Sequence, residues 1–255
     1  MRGTDLVAHR GASRDAPENT LASFRLAWEE GADGIEGDFR LTRDGEIVCL
    51  HDATAKRTAQ ADLAVADTDF ARLRELDAGA WKGEKWRGER IPTLREVIAT
   101  IPPGKKLFIE LKSGPEILLP LAAVLAGSGL DPAQVAVLAF SAELIAASRE
   151  LFPRFKRLWI TDYARDWQNG GWSPSSGQIL RTLESTGAAG LASRAHRSID
   201  TAFVSALRAA GKELHVWTVD DRSSAARFLA LGVDSIITNR PGWLRARLQA
   251  PAVSG

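Results

Sequence analysis

Cysteine is nearly absent from this 255-residue chain: Cys49 stands alone, which excludes an intramolecular disulfide and agrees with a reducing compartment. An excess of one charge sign is missing too. Lys+Arg total 33 against 32 Asp+Glu, a formal net charge of +1, without the basic surplus that nucleic acid or an anionic membrane surface selects. No apolar run reaches the roughly 18 residues of a membrane span. Met1–Asp5 open the chain without the apolar stretch of a secretory leader, so the expected location is the cytoplasm, without stable membrane association or a nucleic-acid partner. What is present is ordinary for a globular protein, 45% hydrophobic and 25% charged residues. The length suits a single α/β barrel domain over residues 1–255.

Short apolar runs alternate with amphipathic segments, the pattern of βα units around a parallel sheet. Strands are expected at 6–9, 34–39, 47–51, 107–111, 135–140, 155–160, 190–192, 213–218 and 235–238. One is too many for an eightfold barrel. Residues 40–46 separate the second and third, far fewer than the dozen or so that a parallel crossover needs. Asp44-Gly45 also favours a two-residue hairpin turn. The third strand therefore returns antiparallel to the second, and the other eight close a (β/α)8 TIM barrel. With Asp44 and Gly45 as the central turn residues, Asp38 lies opposite His51 and shares its face; a bulge would move this register by one. Leu21, Phe24 and Trp28 mark a first helix behind Asn19-Thr20 and ending at Gly31. Thr93 with Glu96 reads as a capping box, and Ser173-Pro174 as an N-cap followed by proline. Residues 53–92 form a short helical insertion with a helix near 69–76, and the tail from Gln249 is expected to fray.

Active sites of such barrels lie at the carboxyl ends of the strands. The first strand ends in His9-Arg10-Gly11, the second carries Glu36 and Asp38, and the third barrel strand carries Glu110 and Lys112. Strand residues two apart share a face, so three carboxylates converge inside the barrel. Buried together they demand neutralisation. One divalent cation with oxygen ligands, Mg2+ or Ca2+, supplies it, and zinc fits this donor set less well. His9 and His51 flank the site as an acid–base pair, and Arg10 and Lys112 offer charge-assisted donors to a phosphate. Metal, Arg and Lys around two imidazoles point to phosphodiester chemistry.

Val7-Ala8-His9-Arg10-Gly11, Pro17-Glu18-Asn19-Thr20, Ile35-Glu36-Gly37-Asp38, Thr42-Arg43-Asp44-Gly45 and His51-Asp52 resemble, in order, the signature of the glycerophosphodiester phosphodiesterases. So do Ile91-Pro92-Thr93-Leu94, Glu110-Leu111-Lys112, Val216-Trp217-Thr218-Val219 and Gly232-Val233-Asp234. The resemblance spans about residues 5–242. It implies a distorted barrel that cleaves a small-molecule glycerophosphodiester to sn-glycerol 3-phosphate and an alcohol. It implies a divalent cation on Glu36, Asp38 and Glu110, acid–base roles for His9 and His51, and phosphate contacts from Arg10 and Lys112. Trp217 matches a tryptophan that touches the organic part of the substrate. Asp220 stands where members commonly carry Asn, and Ala139 where serine is common; neither falls on the metal or acid–base set.

Glu18 reads either as part of the substrate site or as a charge favouring the first helix dipole. His215, one layer below Trp217, reads as a hydrogen-bonded core histidine, and Cys49 as a small buried filler. Tyr163, Trp167 and Trp172 lie in the loop 161–177, lining the pocket or packing over a neighbouring loop. Two rival readings remain: a phospholipase D-like barrel acting on intact or lyso-phospholipids, and an idle barrel that only binds phosphodiesters. The alcohol, the native cation, the division of labour between the histidines and the oligomeric state are not readable from sequence.

Overall fold

In the computed structural model, residues 3–165 and 170–250 are described. Eight parallel strands close a barrel: β1 (Asp5–His9), β2 (Gly34–Leu41), β4 (Lys106–Leu111), β5 (Val135–Ala139), β6 (Lys156–Thr161), β9 (Gly190–Arg194), β10 (Glu213–Trp217) and β11 (Ser235–Thr238). Closure is explicit, because β1 pairs with both β2 and β11. β3 (Ile47–Cys49) runs antiparallel on β2, and a two-residue pair, β7 (Ala164–Arg165) with β8 (Trp172–Ser173), stands outside the barrel. Helices follow the strands: α1 (Leu21–Glu29), α2 (Lys56–Ala59), α3 (Phe70–Arg74), α4 (Leu94–Ile98), α5 (Leu118–Ala126), α6 (Ala142–Leu151), α7 (Ser176–Thr186), α8 (Thr201–Ala209), α9 (Arg222–Leu231) and α10 (Pro241–Gln249). Among the described residues no helix is long and apolar enough to cross a membrane.

Alternation along the strands sorts the core into layers. Leu6, Ala8, Ile35, Phe39, Leu107 and Ile109 face outward into the main core under the helices. Their neighbours Val7 and Phe108 point inward, with Leu138, Leu158, Ile160 and Ile237 filling the barrel. The same alternation turns His9, Glu36, Asp38 and Glu110 inward near the carboxyl end. A third cluster, built on Val65, Leu73 and Ile91, packs against Val48 and Leu50 of the hairpin. It anchors the 53–92 segment, which holds α2, α3 and three 3-10 turns at Val65–Asp67, Ala80–Lys82 and Glu84–Trp86.

Two local expectations are corrected. Phe39 pairs with Cys49 and Leu41 with Ile47, so the hairpin register is one residue off that of a two-residue turn. The loop is Arg43-Asp44-Gly45, closed by Thr42 N–H on Glu46 O at 2.9 Å, with Gly45 at φ +85°. A three-residue loop ending in a left-handed glycine is the alternative that Asp-Gly equally supports. Asp38 O therefore accepts from Leu50 N at 2.9 Å, and His51 lies one residue beyond. Farther along, α7 is capped by Ser175 rather than Ser173, because Ser175 with Gln178 forms a capping box. The helix near 69–76 contracts to Phe70–Arg74, while Thr93 and Glu96 form the expected box.

Candidate active site

Chain geometry at the end of β1 begins the site. Arg10 is left-handed at φ +56° and Gly11 at φ +79°; a Cβ on Gly11 would meet Ser23 Oγ at 2.4 Å, so only glycine fits there. Arg10 is not glycine, and its strain is held by neighbours. Its N–H donates to Glu36 Oε2 (2.9 Å) and its carbonyl accepts from Asn19 N (3.0 Å) and Ser23 Oγ (2.9 Å). The guanidinium then reaches Asp38 Oδ2 (3.1 Å) and Glu18 Oε1 (2.8 Å).

Pairing of β1, β2 and β4 sets His9 beside Glu36 and Asp38 beside Glu110. Glu36, Asp38 and Glu110 are 2%, 0% and 8% exposed, and each contributes an oxygen to a set lying within 4.8 Å of one another. Burial, then the Asp38 charge, holds the Glu36 carboxyl well above the ordinary range, and Glu110 is raised by burial and by both neighbours. Burial pushes Asp38 the same way, yet Arg10, Lys112 and His51 outweigh it and leave it lowered. Lys112 Nζ pairs with Glu110 and with Asp38 Oδ1 at 3.2 Å. Glu36 Oε1, Asp38 Oδ1 and Glu110 Oε1 are buried without a hydrogen-bond partner among the described residues, and of the three Glu36 Oε1 alone lacks an ion pair with Lys112. Three buried carboxylates, two cationic side chains and an orphaned oxygen fit a hard divalent cation with oxygen ligands.

The imidazoles face the same cavity with different backing. His9 Nδ1 meets Asn239 Oδ1 at 2.7 Å, and the Asn239 amide is oriented by Nδ2 donating to Asp220 at 2.6 Å. His9 Nδ1 is therefore the donor, and Nε2 is left 4.0 Å from Glu36 Oε2. His51 Nδ1 meets Asp52 Oδ1 at 2.7 Å, and Asp52 Oδ2 accepts from Arg57 Nε at 2.7 Å. That hydrogen bond to Arg57 is the main reason the Asp52 carboxyl is depressed to about 2, so a carboxylate stands behind His51. Burial lowers the basicity of both imidazoles.

A cavity of 130 Å³ is lined by His9, Arg10, Glu36, His51, Glu110 and Lys112 on one side and by Leu138, Phe140, Ile160, Trp217 and Ile237 on the other. Trp217 stands edge-on to Phe140, ring centres 5.9 Å apart, and donates Nε1–H to Ala192 O at 3.1 Å. Glu18 lines an adjoining 440 Å³ opening instead, which shares His9 and Arg10. Both Glu18 oxygens are taken, by Arg10 and Arg57, which makes it a brace for Arg10 rather than a helix-dipole charge; Thr20 caps α1.

Sequence reasoning did not find Arg57, Asp220, Asn19 or Arg40 as parts of the site. Arg57 lies in the 53–92 segment, away from any strand end, and gave no signal. Asp220 and Asn239 follow the ends of β10 and β11, where polar residues merit attention. Asn19 holds Asp38 through Nδ2 at 2.9 Å, and Arg40 donates to the carbonyls of His51 and Lys112. Tyr163 and Trp172 pack on His196, with centroids 4.4 and 4.5 Å apart, and line neither cavity. Trp167 lies outside the described residues.

Residues 9–243 match the model of the glycerophosphoryl diester phosphodiesterase family. A glycerophosphodiester phosphodiesterase of Caldanaerobacter subterraneus subsp. tengcongensis is 35% identical over 247 residues, 93% of this chain and 95% of that protein. Among solved structures, an Oleispira antarctica phosphodiesterase in complex with the product sn-glycerol 3-phosphate superposes with a TM-score of 0.85 at 30% identity, covering 96% of this chain and 97% of the other. A glycerophosphodiester phosphodiesterase of Agrobacterium tumefaciens gives 0.79 at 27% identity over 95% and 99% of the two chains.

Proposed function

The chain belongs to the glycerophosphoryl diester phosphodiesterase family and is an enzyme of that kind, and on this premise we propose that it converts a water-soluble glycerophosphodiester to sn-glycerol 3-phosphate and an alcohol, using a divalent cation and a His9–His51 proton-transfer pair. The observation that carries the reading is the buried Glu36–Asp38–Glu110 set with its unpartnered Glu36 oxygen, two members of which, Glu36 and Glu110, line one cavity with both imidazoles. The product held by the Oleispira relative supports the same product here.

Glu36, Asp38 and Glu110 would hold the cation, and Mg2+ or Ca2+ bound there would supply Lewis-acid polarisation of a phosphoryl oxygen. Arg10 and Lys112 present charge-assisted donors to the phosphate, and Lys112 offsets negative charge as it develops. His51 is the base. Asp52 holds its Nδ1–H and stabilises the imidazolium formed when Nε2 takes the proton of the nucleophile, either water or the glycerol 2-hydroxyl, in which case water then opens the resulting 2,3-cyclic phosphate to sn-glycerol 3-phosphate. His9 is the acid: its Nδ1 is held by the neutral Asn239 amide, which stabilises an imidazolium less than a carboxylate does, so its protonated form readily gives the Nε2 proton to the leaving oxygen as the phosphorus–oxygen bond breaks. Trp217 and Phe140 offer apolar walls to the glycerol carbons.

Of the large exposed apolar side chains among the described residues, Leu119, Phe140, Leu151 and Leu229, Phe140 alone borders the cavity. Such a rim does not suit acyl chains, which favours deacylated substrates over intact or lyso-phospholipids. The test is release of sn-glycerol 3-phosphate from glycerophosphoethanolamine by chelator-stripped protein, before and after Mg2+ or Ca2+ is restored. Activity is lost and regained. Full turnover after exhaustive metal removal overturns the cation, and faster turnover of a lysophospholipid overturns the substrate class.

A further inference from the structure

Two cavities meet at His9 and Arg10, and they differ in size and chemistry. The apolar-walled one, 130 Å³, suits a three-carbon glycerol; the other, 440 Å³, has room for a bulkier arm. A phosphodiester centred at Arg10 has two arms, so the alcohol arm falls in the larger opening. Arg14, Lys82 and Arg240 line that opening, and no carboxylate among the described residues lies within ion-pair distance of any of the three. Lys82 Nζ donates only to the Ser13 carbonyl, at 2.8 Å, and Arg240 rests on the Trp243 ring at 4.0 Å. Carboxylates are present but occupied. Both oxygens of Glu18 are held by Arg10 and Arg57, and those of Asp220 by Thr238 Oγ1 and by the Asn239 N–H and Nδ2. Asp15, on the same loop as Arg14, acts on Lys82 from a distance without lining the opening.

A cationic arm entering here meets three like charges, and the two carboxylates beside it are already turned to Arg10, Arg57, Thr238 and Asn239. An anionic arm meets three unpaired donors of the strongest kind. We propose that the opening beside His9 is an alcohol-arm subsite selective for glycerophosphodiesters whose alcohol carries its own anionic group, a phosphate or a carboxylate, with Arg14, Lys82 and Arg240 as its determinants. The placement of the two arms rests on the reaction proposed above. Lys82 is already stripped of part of its hydration, so an arriving anion replaces water that is partly gone. Such discrimination works by repulsion as well as attraction.

The test compares kcat/KM for glycerophosphoinositol 4-phosphate, glycerophosphoinositol and glycerophosphocholine with metal-loaded enzyme. The phosphorylated substrate is expected to exceed its parent by about tenfold or more, the scale of a charge-assisted contact, with choline lowest and the differences shrinking as salt is added. The pair R14S/K82M is expected to bring the phosphorylated-to-parent ratio close to one, mainly through KM, and to raise the choline substrate relative to the others. Equal or faster turnover of glycerophosphocholine by the wild type overturns the subsite. So does a parallel fall for all three substrates in R14S/K82M, which would assign these cations to the shared diester. Calorimetry with inositol 4-phosphate as probe separates the two readings. Binding weakened in R14S/K82M, alongside no hydrolysis of any diester, sinks the reaction and keeps the anion site; hydrolysis without the ratio change keeps the reaction and sinks the site.

Discussion

Both ends of the barrel hold a cavity lined by charged side chains, and they differ in how those charges are paired. At the amino end, 380 Å³ is lined by Asp5, Lys106, Lys156, Glu213, His215 and Asp234 among others. Every charge there has an answer: Lys106 pairs with Asp5, Lys156 with Glu213 at 2.7 Å, and His215 joins Glu213 (3.2 Å) and Ser235 (2.8 Å). At the carboxyl end a smaller cavity is lined by Glu36 and Glu110, whose carboxyls are raised by burial and by Asp38 beside them, and Glu36 Oε1 is without a hydrogen-bond partner among the described residues. The presence of charged groups of both signs does not separate the two ends. Satisfaction does: at the amino end each charge is paired, whereas the carboxyl end keeps a buried carboxylate oxygen without a hydrogen-bond partner among the described residues, an electrostatic cost that the proposed cation would offset.

The sharpest break of this comparison removes one unpaired carboxylate. Glu36→Gln is expected to lower kcat on the order of 10³-fold, several kcal/mol of lost transition-state stabilisation, while the Tm of the metal-free protein holds or rises. A lower Tm at unchanged rate would make Glu36 an ordinary structural acid. Next in size, His9→Ala and His51→Ala should each reduce kcat by about 10²-fold or more, measured at saturating metal. Asp52→Asn should produce a smaller loss and lower the basicity of His51 in the kcat/KM profile; near-normal rates in any of these variants remove that residue from the proton path.

At the paired end, Glu213→Gln should leave kcat within about twofold and lower Tm by a few degrees, as the loss of a partly buried ion pair costs roughly 1 kcal/mol in a chain of this length. A catalytic defect at unchanged Tm would mean the amino end is not merely structural. The smallest effect is in pH. Glu213 is depressed from 4.5 to about 2, because hydrogen bonds from His215 and Lys156 outweigh its burial; its contribution is present above pH 4.5 and fades as the pH falls toward 2. Glu36 and Glu110 are raised, so their contribution is complete below the ordinary value of 4.5 and fades as the pH rises toward neutrality in metal-free protein. Tm measured across pH with chelator, in wild type and in Glu213→Gln and Glu36→Gln, should remove the acid slope with the first and flatten the neutral slope with the second. Identical slopes in all three proteins would contradict both assignments.

Much of this was legible in one dimension. Strand alternation alone turned Glu36, Asp38 and Glu110 toward a common interior, since the pleat period of two leaves no other option. The βα rhythm and the short 40–46 connection specified eight barrel strands and one hairpin strand. Contacts that cross the chain were not legible. Arg57 reaches Glu18 over 39 positions and Asn239 reaches His9 over 230, with nothing local to announce either. The hairpin register failed by one residue because Asp-Gly serves both a two-residue and a three-residue turn, and only packing of Leu50 and Val48 against the 53–92 cluster decides between them.

By itself, then, the sequence determined which side chains face inward at which strand ends, because periodicity is a property of neighbours along the chain. The tertiary structure alone decided which of those charges are paired, since neutralisation depends on partners brought from distant segments: Arg57 behind both Glu18 and Asp52, Asp220 behind Asn239, and no donor among the described residues for Glu36 Oε1. Two polar ends of similar composition acquire different roles by that difference in pairing, which the low dielectric of the interior magnifies.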